Sequence, residues 1–167
     1  MKEYPTEALR NVAFVGHGGA GKTSFAEAAL FASGTTTRLG RVEEGNTVSD
    51  YHPDEIERKI SINASVTHCE WKTSKLNLLA TPGSTDFTGE VNCSRLVATT
   101  AVIFVKAVEG AEVGTEIVWE YTKELGNAAI FLVNKLDNEN ADFENAAATV
   151  RNRFTHDVVP VEFPVAQ

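Results

Sequence analysis

Eight residues near the N-terminus, Gly16-His17-Gly18-Gly19-Ala20-Gly21-Lys22-Thr23, have the types and spacing of a phosphate-binding loop. The glycines let backbone N–H groups turn onto phosphate oxygens where a side chain would collide. Lys22 is spaced to reach the β- and γ-phosphates and the Thr23 hydroxyl to ligate Mg2+, with a helix N-terminus adding its positive partial charge. A second group, Asn134-Lys135-Leu136-Asp137, follows an apolar run and suits base recognition. The Asp137 carboxylate can accept from the ring N–H and the exocyclic amine of guanine, while the Asn134 amide helps to hold base and loop. Adenine offers no such donor pair, so this group separates GTP from ATP. Each motif also has a plainer reading, a glycine-rich turn in the first case and a polar strand-to-helix loop in the second.

Such loops need elements to hold them. Asn11 to Val15 reads as a buried strand, followed by the glycine loop and a helix with Phe25, Ala28, Ala29 and Ala32 on one face. Residues 34–59 are polar with little periodicity, and so long a connection in a compact domain is usually functional or mobile. Ile60 to Trp71 and Lys75 to Leu79 read as two strands joined by a tight turn at Lys72-Thr73-Ser74. Ala101 to Val105 and Ala128 to Val133 are two more buried strands, and Gly114, Val118, Tyr121 and Leu125 mark the inward stripe of a helix between them. A last helix is expected from an N-cap at Asn140, with Phe143, Ala147, Val150 and Phe154 inward, before an extended tail from Val158 to Val165. This alternation predicts an α/β fold with a mostly parallel sheet and crossover helices.

Composition narrows the function classes. The 167 residues carry 23 acidic and 15 basic side chains, a net charge of −8, which argues against independent nucleic-acid binding driven by overall charge. The longest apolar runs fall far short of the ~20 residues of a membrane span, so no membrane association is expected. Met1 to Pro5 lacks the apolar core of a signal peptide, and two cysteines, Cys69 and Cys93, are too few for a disulfide framework. A cytoplasmic location follows. Cys93 reads as a packed helix residue, and the acidic run of Asp50, Asp54, Glu55 and Glu57 as a solvated face. The four histidines show no metal-ligand spacing.

Further stretches bring a family into view: Leu9-Arg10-Asn11-Val12, Gly16 to Ser24, Glu57 to Ile62, Cys69 to Lys72, Thr81-Pro82-Gly83, Asp86-Phe87, Glu116 to Trp119, Asn134 to Asp137 and Val159-Pro160-Val161. In order and spacing they resemble the GTP-binding domain of elongation factor G. Gly18 to Ala20, Gly45 to Tyr51 and Phe87 to Val91 are more similar to paralogues of that factor than to the housekeeping protein. The resemblance implies a P-loop NTPase three-layer fold, GTP/GDP and Mg2+ as ligands, hydrolysis of GTP, and the ribosome as the partner of a monomeric whole protein.

Carried over by position, residues 16–23 are the phosphate loop, about 34–63 the first switch, about 81–91 the second switch and 134–137 the guanine-recognition loop. Ser61 stands where the family usually has a Mg2+-ligating threonine, and the Gly83 N–H faces the γ-phosphate. Three positions depart from the housekeeping pattern: Ala80 replaces an aspartate that holds a Mg2+-bound water, Ser84 replaces the histidine that positions the attacking water, and Gly19 replaces an aspartate of the phosphate loop. Slow or absent hydrolysis is therefore expected. A module that switches with nucleotide but does not hydrolyse it and, on the phosphate loop alone, a small P-loop kinase are the alternatives. The family's fifth motif, a Ser-Ala loop, is missing after Asp137, so residues 1–167 are expected to be a GTP-binding domain cut before its last strand and helix.

Overall fold

Val12-Ala13-Phe14-Val15 lies in the central strand of a five-stranded sheet in the computed structural model, which describes residues 2–165. The elements in chain order are β1 (Leu9–Gly16), α1 (Lys22–Ala32), α2 (Pro53–Arg58), β2 (Ser65–Trp71) and β3 (Ser74–Ala80), then α3 (Thr88–Val97), β4 (Thr100–Lys106), α4 (Val113–Leu125), β5 (Ala128–Asn134) and α5 (Phe143–Arg153). The strand order is β2-β3-β1-β4-β5. β1 runs parallel to β3 and β4, and β4 to β5; the hairpin partner β2 alone is antiparallel.

Burial on both faces explains the unbroken apolar runs of β1 and β4. Phe14, Leu78 and Phe104 pack beneath Ala26 and Leu30 of α1 on one face. Ala13, Val15 and Ile103 meet Val91 of α3 and Val118 of α4 on the other, where Val105 also packs on Ala146 and Val150 of α5. The result is the expected three-layer P-loop NTPase arrangement. Because four strands are parallel, the loops after β1, β3, β4 and β5 all leave one edge of the sheet, the place where open α/β sheets bind ligands.

Several local expectations are corrected. The strand expected from Ile60 begins only at Ser65, because residues 61–64 are bonded to side chains rather than to a neighbouring strand. Within the aperiodic stretch lies the short helix α2, opened by Pro53 at its first position and by Glu55 reaching back to the His52 N–H. The last helix is capped by Asp142, whose side chain accepts from the Asn145 N–H, rather than by Asn140. On α1 the buried positions are Lys22, Ala26, Glu27 and Leu30; Ala28 and Ala32 are exposed, and Phe25 is over a third exposed although its ring packs edge-on against Phe14 and Phe104. Leu125 is exposed, its place on the inward stripe taken by Thr115 and Thr122, and Cys93 is exposed rather than packed. The acidic run divides: Asp54 and Glu57 are solvated, whereas Asp50 and Glu55 are buried.

Candidate functional site

β1 ends at Gly16 and α1 begins at Lys22, so the glycine loop is stretched between a fixed strand and a fixed helix. Gly21, at φ 93°, precedes α1 and offers no side-chain cap, leaving the first N–H groups of the helix for a ligand. Lys22 is buried, and its ammonium donates to the carbonyls of Gly16 (2.9 Å) and His17 (3.0 Å), holding the loop's shape. Burial lowers its pKa to about 8, with Asp50 opposing and Lys106 adding to the drop. His17 turns its Nε2 to Glu112 (3.4 Å), a residue that also meets Lys106 (3.2 Å). Gly19 is exposed, as is Ser24 in the first turn of α1.

Thr23 Oγ1 lies 3.0 Å from Ser61 Oγ, and Ser61 Oγ donates to Asp50 Oδ1 at 2.9 Å. The three residues thus stand together although 27 and 11 positions apart in sequence from Thr23 to Asp50 and from Asp50 to Ser61. Two hydroxyls and a carboxylate form an all-oxygen set, the ligand chemistry that Mg2+ takes, so the donors fit this ion. Asp50 is 6% exposed, and no ion pair reaches it among the described residues. Burial raises its pKa, with the Ser61 hydrogen bond pulling the other way. Asp50 belongs to the acidic run expected to face solvent, and no local feature of the sequence marks it as buried.

The segment expected to be the second switch follows β3. Thr81 donates both N–H and hydroxyl to the Phe14 carbonyl, at 3.2 and 2.7 Å, fixing where the chain turns. Gly83 then passes so close to the phosphate loop that a Cβ on it would sit 2.6 Å from Gly18 Cα and N and from Lys22 Nζ. Ala80 is buried and brings no polar group to this corner. Ser84 caps the turn Thr85–Phe87, its hydroxyl 3.2 Å from Asp86 Oδ2. Further on, Glu90 Oε2 accepts from the Ala64 N–H (2.8 Å), so α3 holds the chain just after the segment expected to be the first switch.

On the far side, Asn134 Nδ2 donates to the Ala20 carbonyl at 2.9 Å, linking the second motif to the phosphate loop across 114 positions. Lys135 adopts φ 62°, a left-handed conformation that turns the chain sharply after β5. Asp137 is exposed beyond that turn, free to accept from a base. The structure therefore brings together Gly16 to Thr23, Ser61, Gly83 and Asn134 at one edge of the sheet, with Ser84 and Asp137 at its margins.

A family model described as the elongation factor Tu GTP binding domain matches residues 7–166. A mitochondrial ribosome-releasing factor 2 from Debaryomyces hansenii is 38% identical over 164 residues, covering 98% of this chain and 19% of that protein. Elongation factor G from Salinibacter ruber is 37% identical over 164 residues, covering 98% of this chain and 23% of that protein. A crystal structure of a Thermus thermophilus protein superposes with a TM-score of 0.84 at 36% identity, covering 87% of this chain and 22% of that one. The chain thus spans about a fifth of the length of these relatives.

Proposed function

Because the chain belongs to the elongation factor Tu GTP-binding domain family and is of the elongation factor G type, we propose that it binds GTP and GDP with Mg2+ and hydrolyses GTP slowly on the ribosome. The observation that carries this reading is the joining of four separate stretches at one sheet edge, with Asn134 bonded to Ala20 and Ser61 to Thr23. In it, residues 16–23 hold the phosphates, about 34–63 and 81–91 are the two switches, and 134–137 read guanine. A cytoplasmic setting goes with this role, and no helix of the described residues is long and apolar enough to cross a membrane.

Lys22 supplies positive charge to the β- and γ-phosphates, and the free N–H groups at the start of α1 add to it. Mg2+, when bound, neutralises charge spread over the phosphates, and Thr23, Ser61 and Asp50 are the residues here that would hold it. The Gly83 N–H, packed against Gly18 and Lys22, is the donor assigned to the γ-phosphate in this reading, so loss of that phosphate frees the second switch, and Ser61 does the same for the first. Water must attack in line with the departing oxygen, and orienting it is most of the catalysis. Ser84 is short and its hydroxyl engages Asp86, so it orients water poorly.

Titration with labelled GDP and GTP, alongside phosphate release with and without ribosomes, tests this. Ribosome-stimulated release with GTP preferred over ATP is expected. No binding at high micromolar nucleotide overturns the reading, tight binding without release makes the protein a non-hydrolysing switch, and preference for ATP revives the kinase.

A further inference from the structure

Ser61 can stand over Thr23 only if the segment 34–63 is held still, and that segment has little regular structure of its own beyond the six-residue α2 and a single 3-10 turn at Val42–Glu44. The hold comes from α1. Glu27 on that helix is 1% exposed, and no ion pair reaches it among the described residues. Its Oε1 accepts from the Val48 N–H (2.8 Å), the Ser49 N–H (3.3 Å) and the Ser49 hydroxyl (3.2 Å). The next residue, Asp50, receives the Ser61 hydroxyl, which in turn meets Thr23. A closed circuit therefore leaves α1 at Glu27 and returns to it at Thr23. Glu55 also binds the segment, at Ile62 and Asn63, but it lies within that segment on α2, and Glu90 holds only Ala64, just past its end. Among the side-chain hydrogen bonds of the described residues, Glu27 alone ties the middle of the segment to the body of the fold.

The two carboxylate oxygens are used unequally. Oε1 has three donors, while Oε2 has none among the described residues and faces Gly40, where any Cβ would collide with it.

We propose that Glu27 is a positioning residue that latches the first switch closed, and through Ser49 and Asp50 sets Ser61 over Thr23. The inference rests on the reading of 34–63 as a nucleotide-responsive switch. Its test is amide hydrogen exchange across residues 38–63 in the whole protein bound to GDP or to a non-hydrolysable GTP analogue with Mg2+, for the parent protein, Glu27→Gln, Ser49→Ala and Gly40→Ala. Glu27→Gln should lose about tenfold or more of the protection specific to the analogue, since a charge-assisted acceptor is replaced by a neutral one. Ser49→Ala, which keeps two of the three donors, should lose less. Gly40→Ala attacks the latch from the opposite side with α1 intact and should reproduce the Glu27→Gln pattern. Equal loss of protection in the GDP and analogue forms makes Glu27 an ordinary stabilising residue and overturns the proposal, as does unchanged protection in Glu27→Gln and Gly40→Ala. Absence of nucleotide binding by the parent protein is a separate outcome that brings down the functional reading and the latch together.

Discussion

At the scale of single residues, Lys22 gives the sharpest expectation. Its pKa is lowered from 10.5 to about 8 by burial, so between those pH values the unfolded chain holds a proton that the folded chain has lost. Stability without nucleotide should therefore rise as pH climbs through that window. Phosphate oxygens beside the ammonium restore its charge, so nucleotide binding in the same window should take up a proton, and affinity should fall as pH rises above about 8. Calorimetry at pH 8.5 in buffers of different ionisation heat reads this directly, and zero uptake sinks it. Asp137→Ala removes two hydrogen bonds to a charged acceptor and should weaken GDP binding by roughly a hundred- to ten-thousandfold without altering the fold, checked by fluorescent-nucleotide titration. Ala80→Asp together with Ser84→His restores a carboxylate and an imidazole to the family positions and should raise single-turnover GTP hydrolysis; an unchanged rate removes Ala80 and Ser84 as the cause of slow turnover. The motifs holding Lys22 and Asp137 were legible because their chemistry is local. Asp50 and Glu27 were not, since nothing near them in sequence distinguishes a buried carboxylate from a solvated one.

Elements were legible in proportion to how simply they are buried. β1 and β4 sit inside the sheet as apolar runs that no other reading explains, whereas β5, also expected to be buried, is the edge strand and none of its residues is buried. The inward face of α1 was misread because two of its buried positions, Lys22 and Glu27, are polar and are inside to serve the site rather than the core. The small residues expected there, Ala28 and Ala32, point outward at little cost. α2 escaped notice because six residues hold less than two turns of periodicity, and its stability depends on contacts that Glu55 makes outside it. The loop after β3 is judged by approach distance: Gly83→Ala puts a methyl 2.6 Å from Gly18 backbone and Lys22 Nζ. It should weaken binding of a GTP analogue by about tenfold or more and GDP binding much less, because the second switch must fit against the loop only when the γ-phosphate is present. Parallel titrations of the two nucleotides decide it, and equal losses would show that the close approach serves the fold instead.

On the scale of the whole molecule, nucleotide should act as a tie between loops that four strands hold at a common edge. At a GDP concentration of about 100 times Kd, mass action adds about 2.7 kcal/mol, which for a chain of this size raises Tm by roughly 5–10 °C. A thermal scan with GDP, ATP and Mg2+ checks this, and a shift with ATP equal to that with GDP contradicts guanine recognition. The sequence by itself determined the phosphate loop, the base motif, the α/β alternation and the family likeness, because each is written in residues that are neighbours along the chain or recur at a fixed period. Only the tertiary structure decided that Asn134 bonds to Ala20, that Ser61, Asp50 and Thr23 form one cluster, and that Glu27 grips the chain at Val48 and Ser49. Those contacts join residues 11 to 114 positions apart. Which polar side chains lose water, and to which partners, is set by the packing of helices on a sheet and is not encoded in any local stretch of the chain.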